Sequence, residues 1–146
     1  MLKGFDPMII EPLLTGTTIY GEFDEKWGDI KSIEANEDTP DYLLHTAEIF
    51  YEWATKLAYQ GNLRETLITL SFVQSYALYG FTYISNSNVV SLETIFKKQG
   101  GDIIKRIRHD AKSNQIIPNH QVNLAFNEVR KTLAELRMVL GYKSNP

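Results

Sequence analysis

The sequence contains one long apolar segment, LRETLITLSFVQSYALYGF, which runs from Leu63 to Phe81. On an α-helix its apolar side chains would cover nearly the whole circumference, so other elements must surround it. The segment also carries Arg64, Glu65 and Gln74, and burial in a helical bundle explains these better than a bilayer does. We therefore predict that this segment is the central helix of the fold.

Amphipathic patterns on both sides of the segment predict helices that pack against it. Apolar residues recur there every three or four positions, which marks one face of an α-helix. The positions are Leu43, Ala47, Phe50, Ala54 and Leu57 before it, and Val122, Ala125 or Phe126, Val129, Leu133, Leu136 and Leu140 after it. A further helix from Leu92, capped by Ser91, is interrupted at Gly100-Gly101 and resumes from Asp102. These patterns predict an all-α antiparallel bundle of four to five helices over residues 39–146.

Turn-forming residues predict where the first two helices begin and end. We expect Thr39 to be the N-cap of the first helix, with Pro40 in the first turn. Gly61 and Asn62 then leave room only for a tight antiparallel connection. Gly80 is expected to end the second helix.

Residues 1–38 are predicted to form an irregular, acidic N-terminal arm. Pro7, Pro12 and several glycines leave no space for a long helix. Within the arm, the stretch 15–23 is β-branched and aromatic between glycines, which is typical of a short strand or hairpin. A lone hairpin is marginally stable, so we expect it to dock on the bundle, pair with another copy or be mobile.

The 146 residues fit a single domain, but their net charge of -3 conceals an uneven distribution. Residues 1–62 hold 12 acidic and 4 basic side chains, and residues 63–146 hold 6 acidic and 11 basic ones. Either the acidic arm docks on the basic helices of its own chain, or the two regions meet differently charged partners. The chain has no cysteine, which excludes a disulfide framework and thiolate metal sites, and we expect a cytoplasmic protein.

The stretch from Ala47 to Ala77 resembles a single tetratricopeptide helical hairpin. The shared features are an aromatic pair, a small residue, a turn and an acidic start to the second helix, at Phe50, Tyr51, Ala54, Gln60, Gly61, Asn62, Glu65 and Leu67. Extended to Gly80, the stretch is also similar to the archaeal helical family called domain of unknown function 357. The matching positions are Tyr51, Ala54, Gly61, Asn62, Leu70, Ser71 and Phe72. Neither resemblance implies a catalytic residue.

A basic strip, defined as residues 97–112, holds six of the 15 basic side chains beside the double glycine. They are Lys97, Lys98, Lys105, Arg106, Arg108 and Lys112. Such a strip can neutralise phosphates, which makes nucleic-acid binding the alternative function. The Arg106 and His109 pair is similar to the Arg and His of HEPN-type helical ribonucleases, although their spacing departs from that family's pattern. The other interpretation of the strip is a solvated helix face.

Other candidate sites are weaker. His45, Glu48 and Glu52 share one helix face, but no second helix offers the matching ligands that a metal site in a bundle needs. We therefore expect no metal and no cofactor. Most aromatic side chains have the spacing of core residues, whereas Trp53 and Tyr59 lie opposite the main apolar stripe. We predict that these two belong to a partner groove or a homodimer face.

The sequence thus favours a non-enzymatic helical interaction or adaptor protein that binds a protein partner or a second copy and no membrane. A nucleic-acid-binding or RNA-cleaving bundle that uses the basic strip is the alternative. A further alternative is an acidic inhibitor or immunity protein, in which the acidic half covers a basic partner.

Overall fold

In a computed structural model the chain is all-α, and the structure describes residues 36–86 and 90–142. Five helices pack against each other, and these residues contain no strand. The helices are α1 (Thr39–Tyr59), α2 (Leu63–Thr82), α3 (Leu92–Phe96), α4 (Gly101–Ser113) and α5 (Asn119–Val139). The predicted fold class is confirmed. The predicted arm and its hairpin lie almost entirely outside the described residues.

Helices α1 and α2 form the predicted antiparallel hairpin. Gly61 has a φ of 76°, a left-handed conformation that glycine adopts without strain, and nothing lies within 4 Å of the place where a Cβ would be. The main-chain N–H groups of Gly61 and Asn62 donate to the carbonyls of Ala58 and Leu57, which closes the end of α1. This short closure forces α2 back along α1.

Helix α2 is the central helix, and it contacts each of the other four. Thirteen of its residues are buried, including polar Thr66, Gln74 and Ser75. The expected end at Gly80 is wrong, because α2 continues to Thr82. A Cβ on Gly80 would lie 2.7 Å from Leu136 Cδ2, so this glycine instead allows α5 to approach closely. Its role is in packing.

The double glycine turns the chain between α3 and α4, as predicted. Gly100 has a φ of 90°, and Gly101 opens α4. A Cβ on Gly101 would lie 2.3 Å from the carbonyl oxygen of Phe96, so no larger residue fits there. Ser91 caps α3 by accepting a hydrogen bond from the Thr94 N–H at 3.2 Å, as its position indicated. The bend places α4 along α2.

The start of α1 differs from expectation by one residue. Thr39 is the first residue of α1 and its hydroxyl accepts from the Asn36 N–H at 2.9 Å, so Asp38 occupies the N-cap position. In the α4–α5 loop Ile117 is buried, whereas Ile116 is 86% exposed. Across the described parts of the chain, no helix is long and apolar enough to span a membrane.

Candidate interaction surfaces

An outer stripe of apolar side chains runs along the solvent side of α1. It consists of Tyr42, Ile49 and Trp53, which are 39%, 63% and 60% exposed. Spacings of seven and four residues place the three side chains within about 40° of one another around the helix. A helix in a monomeric bundle normally presents polar residues to water, so this stripe is an apolar face that no other helix of the described residues covers.

The inner face of α1 is packed in the bundle. Leu43, Leu44, Ala47 and Ala54 have no exposed surface. On one flank the ring of Phe50 stacks on Tyr76 of α2 at 5.5 Å. On the other flank Tyr51 meets Phe126 edge-on at 5.6 Å, and Glu48 pairs with Arg137 of α5. These contacts fix the rotation of α1 and hold the outer stripe toward solvent.

The two aromatic residues singled out from the sequence, Trp53 and Tyr59, are both exposed, at 60% and 90%. They are six positions apart, which separates them by about 120° around the helix. Trp53 therefore belongs to the outer stripe, whereas Tyr59 lies at its flank. Sequence reasoning missed Tyr42 and Ile49 as members of the stripe. The signal was their apolar character on the face opposite Leu43 and Ala47.

The basic strip does not form one continuous surface. Arg106 points to α5, where it pairs with Glu128 at 2.8 Å. Lys97 Nζ lies 3.9 Å from Oε1 of Glu93 in α3, and both side chains are largely exposed. Lys98 lines a cleft beside α5, and Lys112 is exposed at the far end of α4. Only Lys105 and Arg108 share a surface with defined geometry.

That surface is a cation–ring patch formed by Phe72, Phe96, Lys105 and Arg108. Lys105 Nζ lies 5.3 Å from the centre of the Phe96 ring. The Arg108 guanidinium lies 5.6 Å from the same ring and 5.9 Å from Phe72. Burial lowers the pKa of Arg108 from its ordinary value, because the charged form loses hydration. In the sequence, Phe96 directly precedes Lys97, the first residue of the strip.

The cleft between α4, α5 and the end of α2 has a volume of about 720 Å³ and is open to solvent. Its charged lining is mixed: Lys98, Asp102, Glu128, Lys131 and Glu135. Among the described residues no group of three or more His, Cys, Asp or Glu is placed to hold a metal ion. His45 Nδ1 and Glu48 Oε1 are 3.6 Å apart, but no third ligand of this kind joins them. His109 lies within hydrogen-bonding distance of Ser113 in an exposed position on α4.

Comparison of the chain with models of protein families, with curated proteins and with solved structures finds no match. The resemblances to a tetratricopeptide hairpin and to domain of unknown function 357 therefore stay predictions. The surfaces described above are what remains to indicate a function.

Proposed function

We propose that the chain is a non-enzymatic helical interaction protein that works as a homodimer, with the outer stripe of α1 as the subunit interface. The observation that carries this proposal is the exposure of Tyr42, Ile49 and Trp53 on one face of a helix whose inner face is packed in the bundle. Burial of such side chains contributes about 25 cal/mol per Å² of apolar surface, which favours a partner on this face.

The order of residues in the stripe favours a second copy over an unrelated partner. When two α1 helices lie antiparallel about a twofold axis, Tyr42 comes opposite Trp53 of the second copy. In the same register Thr46 comes opposite Ile49 of the second copy. Large aromatic groups then meet at both ends and smaller groups meet at the centre. A twofold interface requires such self-complementarity, because each residue pair occurs twice.

Charges beside the stripe fit the same register. Asp38 and Lys56 lie at opposite ends of one flank of α1. In the antiparallel register, Asp38 of each copy lies next to Lys56 of the other copy. Each exposed pair contributes only about 0–1 kcal/mol, so these pairs select the register more than they supply affinity.

The nucleic-acid alternative has less support from the geometry. Arg106 already pairs with Glu128, and Arg108 lies half-buried against two rings. Of the four lysines of the strip, Lys98 and Lys112 lie at opposite ends of α4 and do not share a groove. Lys97 lies near Glu93, and Lys105 lies over the Phe96 ring. Among the described residues, His109 is not placed with a second catalytic group in a way that would support RNA cleavage.

The test is the mass of the protein in solution, measured by light scattering coupled to size-exclusion chromatography. We expect the native chain to have twice the 16.7 kDa of a single copy. Ile49→Asp places a charge in the centre of the stripe and should give the single-copy mass at the same concentration. Circular dichroism should remain that of a folded helical bundle, since the Ile49 side chain is 63% exposed.

Leu124→Asp is the matched control, because Leu124 is an apolar residue of α5 that is 48% exposed and lies away from α1's outer stripe. This variant should keep the double mass. A native chain with the mass of one copy at all concentrations would contradict the proposal, as would a dimer that Ile49→Asp leaves intact.

A further inference from the structure

Lys105 and Arg108 form a pair of cations that has no acidic partner among the described residues. No carboxylate of residues 36–86 or 90–142 makes a salt bridge with either side chain. Both instead lie over the ring of Phe96, at 5.3 and 5.6 Å. The nearby Arg106 differs, because it forms a salt bridge with Glu128.

The rings beneath Arg108 should strengthen the binding of a carboxylate to its guanidinium. Arg108 lies against Phe96 and against Phe72, which restricts its side chain and removes part of its water. A carboxylate that reaches a partly desolvated guanidinium makes a shorter and stronger hydrogen bond than one on an open surface. Phe72 and Phe96 are also only partly buried, so apolar groups next to that carboxylate would find a surface to cover. The patch therefore fits a segment that alternates acidic and aromatic residues.

The chain contains such a segment outside its described part. Residues 22–29 read EFDEKWGD, with acids at Glu22, Asp24, Glu25 and Asp29 and with Phe23 and Trp27 between them. Their formal charge of -3 opposes the +4 of residues 97–112. This is the densest mixture of acidic and aromatic residues in the sequence.

The described chain starts at a suitable place for this contact. Asn36 lies at the start of α1, and the ring of Phe50 in α1 is 6.4 Å from that of Phe72, which Arg108 covers. The patch is therefore separated from α1 by a single neighbouring helix. Phe50 is 14 residues from Asn36, so the patch lies about 20 Å from Asn36 along the axis of α1 and one further helix-to-helix distance across. The chain from Trp27 to Asn36 spans up to about 30 Å when extended, so Trp27 and the acidic residues before it can reach the patch.

We propose that residues 22–29 of the chain dock on its own cation–ring patch, with carboxylates at Lys105 and Arg108 and with the Trp27 and Phe23 rings against Phe72 and Phe96. This contact would cover the part of the basic strip that is free to bind phosphate. It would also give the acidic arm a site on the bundle that is built from α2, α3 and α4 rather than from the outer stripe of α1. It rests on different residues from the proposed dimer.

The sequence allows a direct test, because its two tryptophans are Trp27 and Trp53. In the full-length Trp53→Phe variant, Trp27 is the sole source of tryptophan fluorescence. We expect a blue-shifted emission that resists quenching by iodide or acrylamide. High salt should shift the emission to the red, because it screens the contact with the two cations. The double change Lys105→Glu and Arg108→Glu, in the same background, should produce the same red shift at low salt.

Arg130→Glu with Lys131→Glu is the matched control, since it reverses two exposed charges on α5 away from the patch. That variant should keep the blue-shifted emission. Asp24→Lys with Glu25→Lys changes only the arm, so it leaves the bundle intact and should also expose Trp27. Combining it with the reversed patch should restore the blue shift, because the charges are then exchanged.

Three results would overturn the proposal. The first is a Trp27 emission typical of exposed tryptophan in the unreversed chain. The second is a blue shift that the patch reversal leaves unchanged. The third is salt-dependent binding of a labelled single-stranded RNA to the full-length chain that is abolished by Lys105→Glu with Arg108→Glu, since that result would show the patch open to phosphates.

Discussion

The side-chain amide of Gln74 donates a hydrogen bond to the main-chain carbonyl of Gly100 at 3.2 Å. This contact joins the centre of α2 to the bend between α3 and α4. Gln74 has no exposed surface, and its Oε1 atom finds no hydrogen-bond partner among the described residues. The Gly100 carbonyl has a second donor in the Ile103 N–H. The bend is therefore held by an amide whose Nε2 makes a hydrogen bond and whose Oε1 makes none among the described residues.

Replacing Gln74 by methionine should leave stability unchanged or raise it. Methionine fills a similar volume and removes the unsatisfied Oε1, while Gly100 keeps the Ile103 N–H. Gln74→Ala should instead cost about 2–3 kcal/mol, because it leaves a cavity in the centre of the bundle. Urea unfolding followed by circular dichroism measures both free energies. A loss for methionine as large as that for alanine would show that the amide contact itself stabilises the bend.

The two glycines of the bend should tolerate alanine to different degrees. Gly100→Ala introduces a positive φ for a residue with a Cβ and a contact of 3.1 Å with Gln74 Nε2, so we expect a loss of about 1–2 kcal/mol. Gly101→Ala should be worse, because the main-chain oxygen 2.3 Å away cannot move without opening α3. Gly61→Ala is the control, with a positive φ and open space, and should cost about 1 kcal/mol. Equal losses at all three positions in urea unfolding would contradict this account.

Removing one partner of the Glu48 and Arg137 pair should destabilise the bundle more than replacing both partners. Both side chains are largely buried, at 31% and 20% exposure. Glu48→Gln leaves the guanidinium without its carboxylate and should destabilise the bundle by about 1–3 kcal/mol. The double variant Glu48→Met with Arg137→Met should recover most of that loss. A double-mutant cycle of Glu48→Met, Arg137→Met and their double variant, measured by thermal unfolding, decides this. Strictly additive losses of the two single variants would mean that the pair has no coupling.

Tyr142 should make the protein less stable at alkaline pH. Its hydroxyl donates to Asp41 Oδ1 at 2.8 Å, and this hydrogen bond raises the pKa of Tyr142 above its ordinary value of about 10. The folded state then holds the proton more tightly than the unfolded state. The stabilisation is therefore complete below about pH 10 and is lost as the pH rises through the folded pKa. Unfolding across this range should show a steeper loss for the native chain than for Tyr142→Phe. Parallel curves would rule out the contact.

Most of the fold could be predicted from the sequence, because helical spacing and turn residues are local signals. The hairpin at Gly61 and the bend at Gly100 followed from the left-handed conformation that glycine alone adopts easily. The same local signals wrongly predicted that α2 ends at Gly80. A glycine is needed there because Leu136 of α5 approaches closely, and such a contact between distant residues leaves no local pattern in the sequence.

The candidate surfaces were less predictable for the same physical reason. Trp53 stood out because it is a large aromatic residue opposite the inner face. Ile49 did not, since a lone apolar residue on a helix surface is common and its exposure depends on how α2 and α5 orient α1. The split of the basic strip depends on Glu128 and Phe72, which belong to other helices.

The register of the proposed dimer can be measured with single cysteines, because the chain has none of its own. Asp38→Cys and Lys56→Cys each place a thiol on the flank of α1, at opposite ends of the outer stripe. We expect rapid disulfide cross-linking when the two variants are mixed and oxidised, and little in either variant alone. Lys131→Cys on α5 should cross-link with neither. Cross-linking within each variant alone, or none in the mixture, would contradict an antiparallel α1 interface.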